Sequence, residues 1–396
     1  MVKIGVDIRH ITDFGVGTYI RNILRGLVRL DHENHYVLIG DPERAHEIGD
    51  LPANFVPVEV KPYDSPWGQA MEFRRIVRQE ACDLVHVPHL LSVPLFLPCP
   101  YVITVHDLLD YMYRTSSASG FRRMLHFQLT KRVLNQAARI FAVSNFTKND
   151  LQRLFEIPSG RIEVVYNAID ERFRQGHAGD SDREFIAERY QVNYPFLLYA
   201  GRISPPKNIV RIIEAFSALK GELRKEDKYP DLKLIIIGDD LSSHPDLRRT
   251  VIKSDVQNDV RFLGFVPIDV LRIFYDAAKI FVFPSLYEGF GLPPLEAMAH
   301  GTPVVTSNTS SLPEVVGNAA VLVNPENVFD IMRALHRVLL DQPLRDRLKQ
   351  RGYEQAARYS WDVSAQRILQ VYEQVALGAQ PPPVSVAPPP PVNVPE

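Results

Sequence analysis

A chain of 396 residues, 45% hydrophobic and 23% charged, has the make-up of a soluble globular protein and suits two separate cores. Its formal net charge of −2 leaves no basic footprint for nucleic acid. Two cysteines, Cys82 and Cys99, give neither a disulfide framework nor metal-ligand spacing, which fits a reducing cytoplasm. The opening MVKIGVDIRH reads as a strand start and not as a signal peptide. No apolar run reaches transmembrane length, so any membrane contact is expected to be peripheral.

Residues 2–8 read as a first parallel strand, and 12–18 (TDFGVGT) as a glycine-rich turn. Apolar residues Ile20, Ile23, Leu24, Leu27 and Val28 then follow helical spacing. This order predicts a mononucleotide-type unit with Gly15 and Gly17 at its turn. Ile20 stands where a third glycine would complete a dinucleotide fingerprint. Further strands are predicted at 36–39, 83–87, 101–105 and 140–143, the third running into His106 and Asp107. Strand ends of open α/β sheets line the ligand crevice, although a bare His-Asp there more often bonds nearby backbone. Segment 111–139 carries Arg114, Arg122, Arg123, Lys131, Arg132 and Arg139 with no acidic residue, and Phe121, Met124, Leu125, Leu129 and Val133 lie near helical spacing. It reads either as an ordinary surface helix or as a face for an anionic bilayer. Ser144 is placed to cap the helix after the strand at 140–143.

Residues 174–193 are polar and predict a linker between a first domain, 1–173, and a second, 194–360. The linker holds Asp180-Ser181-Asp182, formally a D-x-D. It sits in a solvated stretch rather than after a strand, and no metal site is read there. The second domain opens with a strand at 194–200, followed by GRISPPKN, in which Arg202 and Lys207 flank a proline turn. Such a pair can clamp a diphosphate, Arg as a planar fork and Lys as a point charge. Strands follow at 232–238, 260–266, 280–283, 304–306 and 321–323, helices fill 328–359, and a last helix starts at Trp361. Eight of the eighteen residues in 379–396 are proline, so that tail is expected to be extended or disordered.

The most informative stretch is 283–301, FPSLYEGFGLPPLEAMAHG. Gly289 and Gly291 permit a sharp bend, Pro293 and Pro294 suit a helix's first turn, and Gly301 ends that helix. Glu288 falls on the loop and Glu296 about one turn inside the helix. The amides of Phe290, Gly291 and Leu292 lie between them, at the positive end of a helix dipole, which favours an anion such as phosphate. A ligand with hydroxyls for the carboxylates and phosphate for the amides fits, and a nucleotide sugar has both.

The Glu-x7-Glu spacing within EGFGLPPLEAMAHGTPVV, together with DIRHITDFGVGTYIRNIL and PYVITVHDLL, resembles the retaining GT-B glycosyltransferases of group 1, or family 4, and among them bacterial mannosyltransferases. The resemblance implies an α/β fold of two Rossmann-like doubly wound domains facing across a cleft, with helix 361–378 crossing back to the first. It implies that Glu288 contacts the donor sugar, Glu296 the ribose, and Arg202 and Lys207 the diphosphate. It gives backbone at Phe265 and Val266 to the base, His106 to the sugar pocket, and Gly15 and Gly17 to the donor or acceptor. Segments 143–147 and 167–170 (NAID) also resemble the family, with Ala168 replacing its usual glycine. The expected reaction is metal-independent transfer of a hexosyl group, mannose from GDP-mannose first and a UDP-sugar second. The acceptor is expected to be a glycan or lipid-linked acceptor in cell-surface polysaccharide synthesis, at the inner face of the plasma membrane. No cofactor beyond the donor is implied. A GT-B epimerase or phosphorylase, a non-catalytic nucleotide-sugar-binding protein and a dinucleotide oxidoreductase are the rivals. The last is disfavoured by the broken glycine fingerprint.

Overall fold

The architecture is that of a computed structural model, which describes residues 1–61, 65–94, 96–113, 120–174, 179–239 and 244–378. The proline-rich tail and Arg114 lie outside the described residues, as do the side chains of Arg122 and Asp180. The chain forms two compact units. One is Met1–Asn167 with the segment from Ser360, and the other contains Ala168–Tyr359.

The first unit is built on β1 (Lys3–Asp7), α1 (Phe14–Leu30), β2 (His35–Gly40), β3 (Phe55–Glu59), α2 (Pro66–Gln79), β4 (Leu84–Val87), β5 (Tyr101–Val105), α3 (Leu109–Tyr113), α4 (Gly120–Gln136), β6 (Arg139–Ala142), α5 (Asn145–Phe155) and β7 (Ile162–Val164). The strands form one parallel sheet in the order β3-β2-β1-β4-β5-β6-β7. β4 and β5 are buried along their whole length, as expected of parallel strands covered on both faces. The C-terminal helix (Trp361–Ala376) packs on α1 in this unit. Gly26 makes that approach possible, since a Cβ there would lie 2.6 Å from the Cβ of Ala365. A buried chain of polar groups ties the helix to the sheet. Tyr372 Oη lies 2.5 Å from His86 Nδ1, and Thr104 Oγ1 lies 2.8 Å from both His86 Nε2 and Tyr19 Oη. Burial pushes the His86 pKa down to about 3, so the ring is neutral and can donate from one nitrogen and accept at the other.

The second unit contains α6 (Asp180–Tyr190), β8 (Phe196–Ala200), α7 (Ile209–Lys225), β9 (Lys233–Ile237), α8 (Pro245–Lys253), β10 (Val260–Gly264), α9 (Ile268–Ala277), β11 (Ile280–Phe283), α10 (Leu292–Ala299), β12 (Val304–Ser307), α11 (Leu312–Val316), β13 (Ala320–Val323), α12 (Val328–Leu340) and α13 (Gln342–Ala357). Its parallel sheet runs β10-β9-β8-β11-β12-β13. Both sheets therefore reverse direction once, between β1 and β4 and between β8 and β11. Ligands of doubly wound sheets bind beyond the strand C-termini at such a switch point.

Three sequence expectations need correction. Residues 12–18 are not a free turn, because α1 already begins at Phe14 and Gly17 N–H donates to Asp13 O at 3.0 Å. The stretch 174–193 is not a bare linker. It holds α6, whose Tyr190 meets Phe274 of α9 edge-on at 5.4 Å, and the two units meet in sequence at Asn167/Ala168 rather than at 173. The Asp182 carboxylate there accepts from Gly179 N–H at 2.9 Å, a helix-capping role. Finally, β3 was not anticipated because Pro57 interrupts it. It is an edge strand, where a missing N–H costs no ladder bond.

Candidate functional site

In the second unit the switch-point loops carry the charged residues. β8 ends in Gly201, whose φ of +150° turns the chain out of the sheet. Arg202 follows, exposed at the rim. Its loop is held by Tyr199 Oη, which donates to the Arg202 carbonyl at 3.0 Å, and by Asp239, which accepts from Ile203 N–H at 3.0 Å. Pro205–Lys207 then form one 3-10 turn. Leu286 N–H donates to the Pro206 carbonyl at 2.7 Å, so this turn lies against the loop after β11. There Lys207 Nζ donates to Glu288 Oε1 at 2.6 Å, both side chains being largely enclosed. Lys207 Nζ also lies 5.5 Å from the centre of the Phe283 ring.

Gly291, with φ of +106°, starts α10, and a Cβ there would meet Leu312 Cδ2 at 2.7 Å. Its glycine is thus required twice, by conformation and by space. Glu296, one turn into α10, accepts from Tyr275 Oη at 2.9 Å. Burial pushes its pKa up to about 7, assisted by Asp170 and opposed by the Tyr275 hydrogen bond and Arg172. A carboxyl so poised at neutral pH is a functional-site signal when it lies near a switch point. At the other end of α10, His300 Nδ1 lies 3.0 Å from Asp276 Oδ1, both buried.

The remaining residues expected in this unit fall on two sides of the packing. Phe265, just past β10, is 74% exposed, whereas Val266 is buried. Phe290 is buried edge-on against Tyr359 at 5.5 Å, so only its backbone can face a ligand. Leu292 is the first residue of α10.

His106, Gly15 and Gly17 belong to the first unit. His106 Nε2 lies 3.0 Å from the Pro88 carbonyl, the backbone partner expected of a bare His-Asp, and its ring meets Tyr19 edge-on at 4.9 Å. Burial and the neighbouring His89 push its pKa down to about 4, so it is a neutral hydrogen-bonding group at physiological pH. A Cβ at Gly17 would lie 2.3 Å from Ile11 O, which makes that glycine a close-packing residue. A Cβ at Gly15 would meet nothing within 4 Å.

Sequence reasoning missed a second cluster at the β1/β4 switch point. His10 Nδ1 lies 2.7 Å from Asp13 Oδ2 and His10 Nε2 lies 2.6 Å from Ser92 Oγ. His89 Nδ1 lies 3.1 Å from the same Ser92 Oγ, and the two imidazole rings sit 4.5 Å apart. Arg9 is paired with buried Asp7 at 2.7 Å and also donates to the Ser92 carbonyl at 3.0 Å. The usable signal was His10 and His89, each just past a predicted strand. Among the described residues no group of three or more His, Cys, Asp or Glu is arranged to hold a metal ion.

Comparison with known proteins supplies the family. Residues 15–173 match the family Glycosyltransferase Family 4, and residues 180–355 match Glycosyl transferases group 1. O-antigen chain mannosyltransferase B of Escherichia coli is 35% identical over 61% of this chain and 61% of its own. O-antigen chain mannosyltransferase RfbU of Salmonella typhimurium is 30% identical over 67% of each. Across several such curated relatives the chain spans 34–61% of their length. A solved structure of HepE from Anabaena in complex with UDP-glucose shares the fold, with a TM-score of 0.73 at 18% identity over 94% of this chain and 100% of that one. Two doubly wound units, a Glu-x7-Glu segment at the second switch point and these matches together show that the chain belongs to the group 1, family 4 glycosyltransferases of GT-B fold.

Proposed function

We propose that the chain transfers a hexosyl group, mannose from GDP-mannose, with retention and without a metal ion. The acceptor is a glycan or lipid-linked acceptor in cell-surface polysaccharide synthesis. The observation that carries this reading is the Lys207–Glu288 pair at the β8/β11 switch point, with Glu296 farther along the same segment. Lys207, with Arg202, offsets the negative charge that develops on a diphosphate as the anomeric bond breaks, and the amides at the start of α10 add to it. Glu288 accepts hydroxyls of the transferred sugar, and Glu296 accepts those of the ribose. Backbone at Phe265 and Val266 reads the base. No paired carboxylates in the pattern of retaining hydrolases are needed for this chemistry, because the leaving phosphate takes the acceptor's proton. In the first unit, neutral His106 hydrogen-bonds a sugar hydroxyl, and Gly15 leaves open space beside the start of α1.

The mannosyltransferase relatives support mannose as the sugar, and the UDP-glucose complex of HepE supports a UDP-linked donor as the second reading. A panel of GDP-mannose, UDP-glucose, UDP and NAD in a thermal-shift assay, followed by turnover of the hit with and without EDTA, tests the proposal. Stabilisation by GDP-mannose and EDTA-resistant turnover are the expected results. Stabilisation by NAD alone, or turnover abolished by EDTA and restored by Mg²⁺ or Mn²⁺, would contradict it.

Contact with the inner face of the plasma membrane is part of the proposal. On α4 the side of Phe127, Thr130, Val133 and Leu134 faces inward, while Phe121, Met124, Leu125 and Leu129 are exposed. Arg123 and Arg132 accompany the exposed set, Arg132 over the ring of exposed Phe96 at 5.3 Å. Apolar side chains inserted among lipid tails with arginines at anionic headgroups is the arrangement of an interfacial helix. Among the described residues no helix is long and apolar enough to cross a membrane.

A further inference from the structure

The loop that carries Glu288 has no regular hydrogen-bond ladder after Phe283, yet its carbonyls are tied one after another by side chains from elsewhere. Thr306 Oγ1 donates to Phe283 O at 2.8 Å, and Ser307 Oγ to Ser285 O at 2.5 Å. Asn208 Nδ2 donates to Pro284 O at 2.9 Å and also to Pro325 O at 2.7 Å. Ser311 Oγ reaches Glu288 O at 2.9 Å and Phe290 O at 2.8 Å, a three-centre bond. Thr306, Ser307 and Ser311 are fully buried and Asn208 nearly so. Asn208 is moreover held at φ of +64°, a left-handed conformation that asparagine tolerates better than most residues, directly after Lys207. One residue thus fixes the turn that carries Lys207 and the loop that carries Glu288.

Four buried donors thus engage five carbonyls of one loop. Pinning the carbonyls sets the direction of the loop's peptide dipoles before any ligand arrives, and the units that follow Pro284, Glu288 and Phe290 present the N–H groups of Ser285, Gly289 and Gly291 on the opposite side. We propose that Asn208, Thr306 and Ser311 are positioning residues. They hold the 283–290 loop so that the Lys207–Glu288 pair and the start of α10 are preorganised for a nucleoside diphosphate, without touching it themselves. Preorganised charge costs no rearrangement when the ligand or transition state forms. This rests on the reading of Lys207 and Glu288 as donor-binding groups, and the experiment separates the two.

Hydrogen–deuterium exchange of the intact chain without ligand reads the pinning directly, and isothermal titration with GDP and UDP reads its purpose. Thr306→Val keeps the shape and removes the hydroxyl, Thr306→Ser restores it, and Ser311→Ala and Asn208→Ala remove the other donors. The Val and Ala variants are expected to exchange several-fold faster across peptides covering 284–292 and to bind the nucleotide about tenfold more weakly, as for loss of a buried hydrogen bond. Thr306→Ser is expected to match the wild type in both. Should Ser311→Ala or Asn208→Ala fail to fold, the isosteric Thr306 pair decides alone. Wild-type exchange and wild-type affinity in Thr306→Val would overturn the inference. Faster exchange in the variants with no nucleotide binding by the wild type would leave the pinning standing and remove the functional reading instead.

Discussion

The two sheets share a topology but gather different side chains beyond it. Each is a parallel sheet that reverses once, and each gathers polar side chains on the loops beyond that reversal. In the second unit the gathered groups are charged, with Lys207 on Glu288 and exposed Arg202 nearby in sequence. In the first they are imidazoles and a hydroxyl, His10, His89, Ser92 and His106, with the carboxylate of Asp13 on His10 and the cation Arg9 paired with buried Asp7. A charged rim selects an anion. Of the imidazoles in the first, desolvation holds His89 and His106 below the usual histidine pKa, and a ring so held offers hydrogen bonds without charge. On the proposed reading, the diphosphate falls to the charged groups of the second unit.

Mutations can break that comparison. The largest effect is expected at Lys207. Lys207→Ala removes a charge-assisted contact and leaves Glu288 without its cation, so affinity for the diphosphate falls by about 10- to 100-fold in calorimetry. Glu296 comes next, and its effect depends on pH. Its folded pKa of about 7 lies above the ordinary carboxyl value, so the folded state holds the proton more tightly than the unfolded chain. The stability this supplies is complete below the unfolded value near 4.5 and is lost as pH rises through about 7. The stability of ligand-free protein should therefore fall from pH 5 to pH 8, and Glu296→Gln should remove about 2 kcal/mol of that fall, as read by denaturant titration at each pH. An equal slope in wild type and variant would show that Glu296 is not the group responsible.

Smaller effects sharpen the contrast. Phe121→Ser with Met124→Ser on α4 should cut co-sedimentation with anionic liposomes at low salt several-fold while leaving nucleotide affinity unchanged. Absence of pelleting by the wild type would end the membrane assignment. Smallest of all, His106→Ala should change GDP or UDP affinity less than about twofold, since a neutral imidazole contributes little to diphosphate binding. Its ring should stay neutral down to pH 5, which two-dimensional NMR of the imidazole can follow.

Much of this was legible in the amino-acid order. Buried parallel strands such as Ile280–Phe283 announce themselves as continuous apolar runs, and the glycines and prolines of 289–294 fix where α10 begins. Residues whose role is local were therefore easy to place. What escaped depends on partners distant in sequence. Pro57 disguised a strand that tolerates it only at a sheet edge. α6 looked like a linker because its surface is mostly charged, and the contact of Tyr190 with Phe274 could not be read ahead. Gly15 and Gly17 looked alike in a Gly-x-Gly, yet only Gly17 is pressed against Ile11. The serines and threonine that hold the Glu288 loop, and the His10–Ser92–His89 cluster, join segments up to 82 residues apart, with no signature in spacing.

Calorimetric titration of GDP and UDP into the intact wild-type chain and into Lys207→Ala tests the central claim most directly. The account predicts saturable binding of at least one nucleoside diphosphate to the wild type and affinity weakened by one to two orders of magnitude in the variant. Equal affinity in both proteins, or no binding to either, would contradict it.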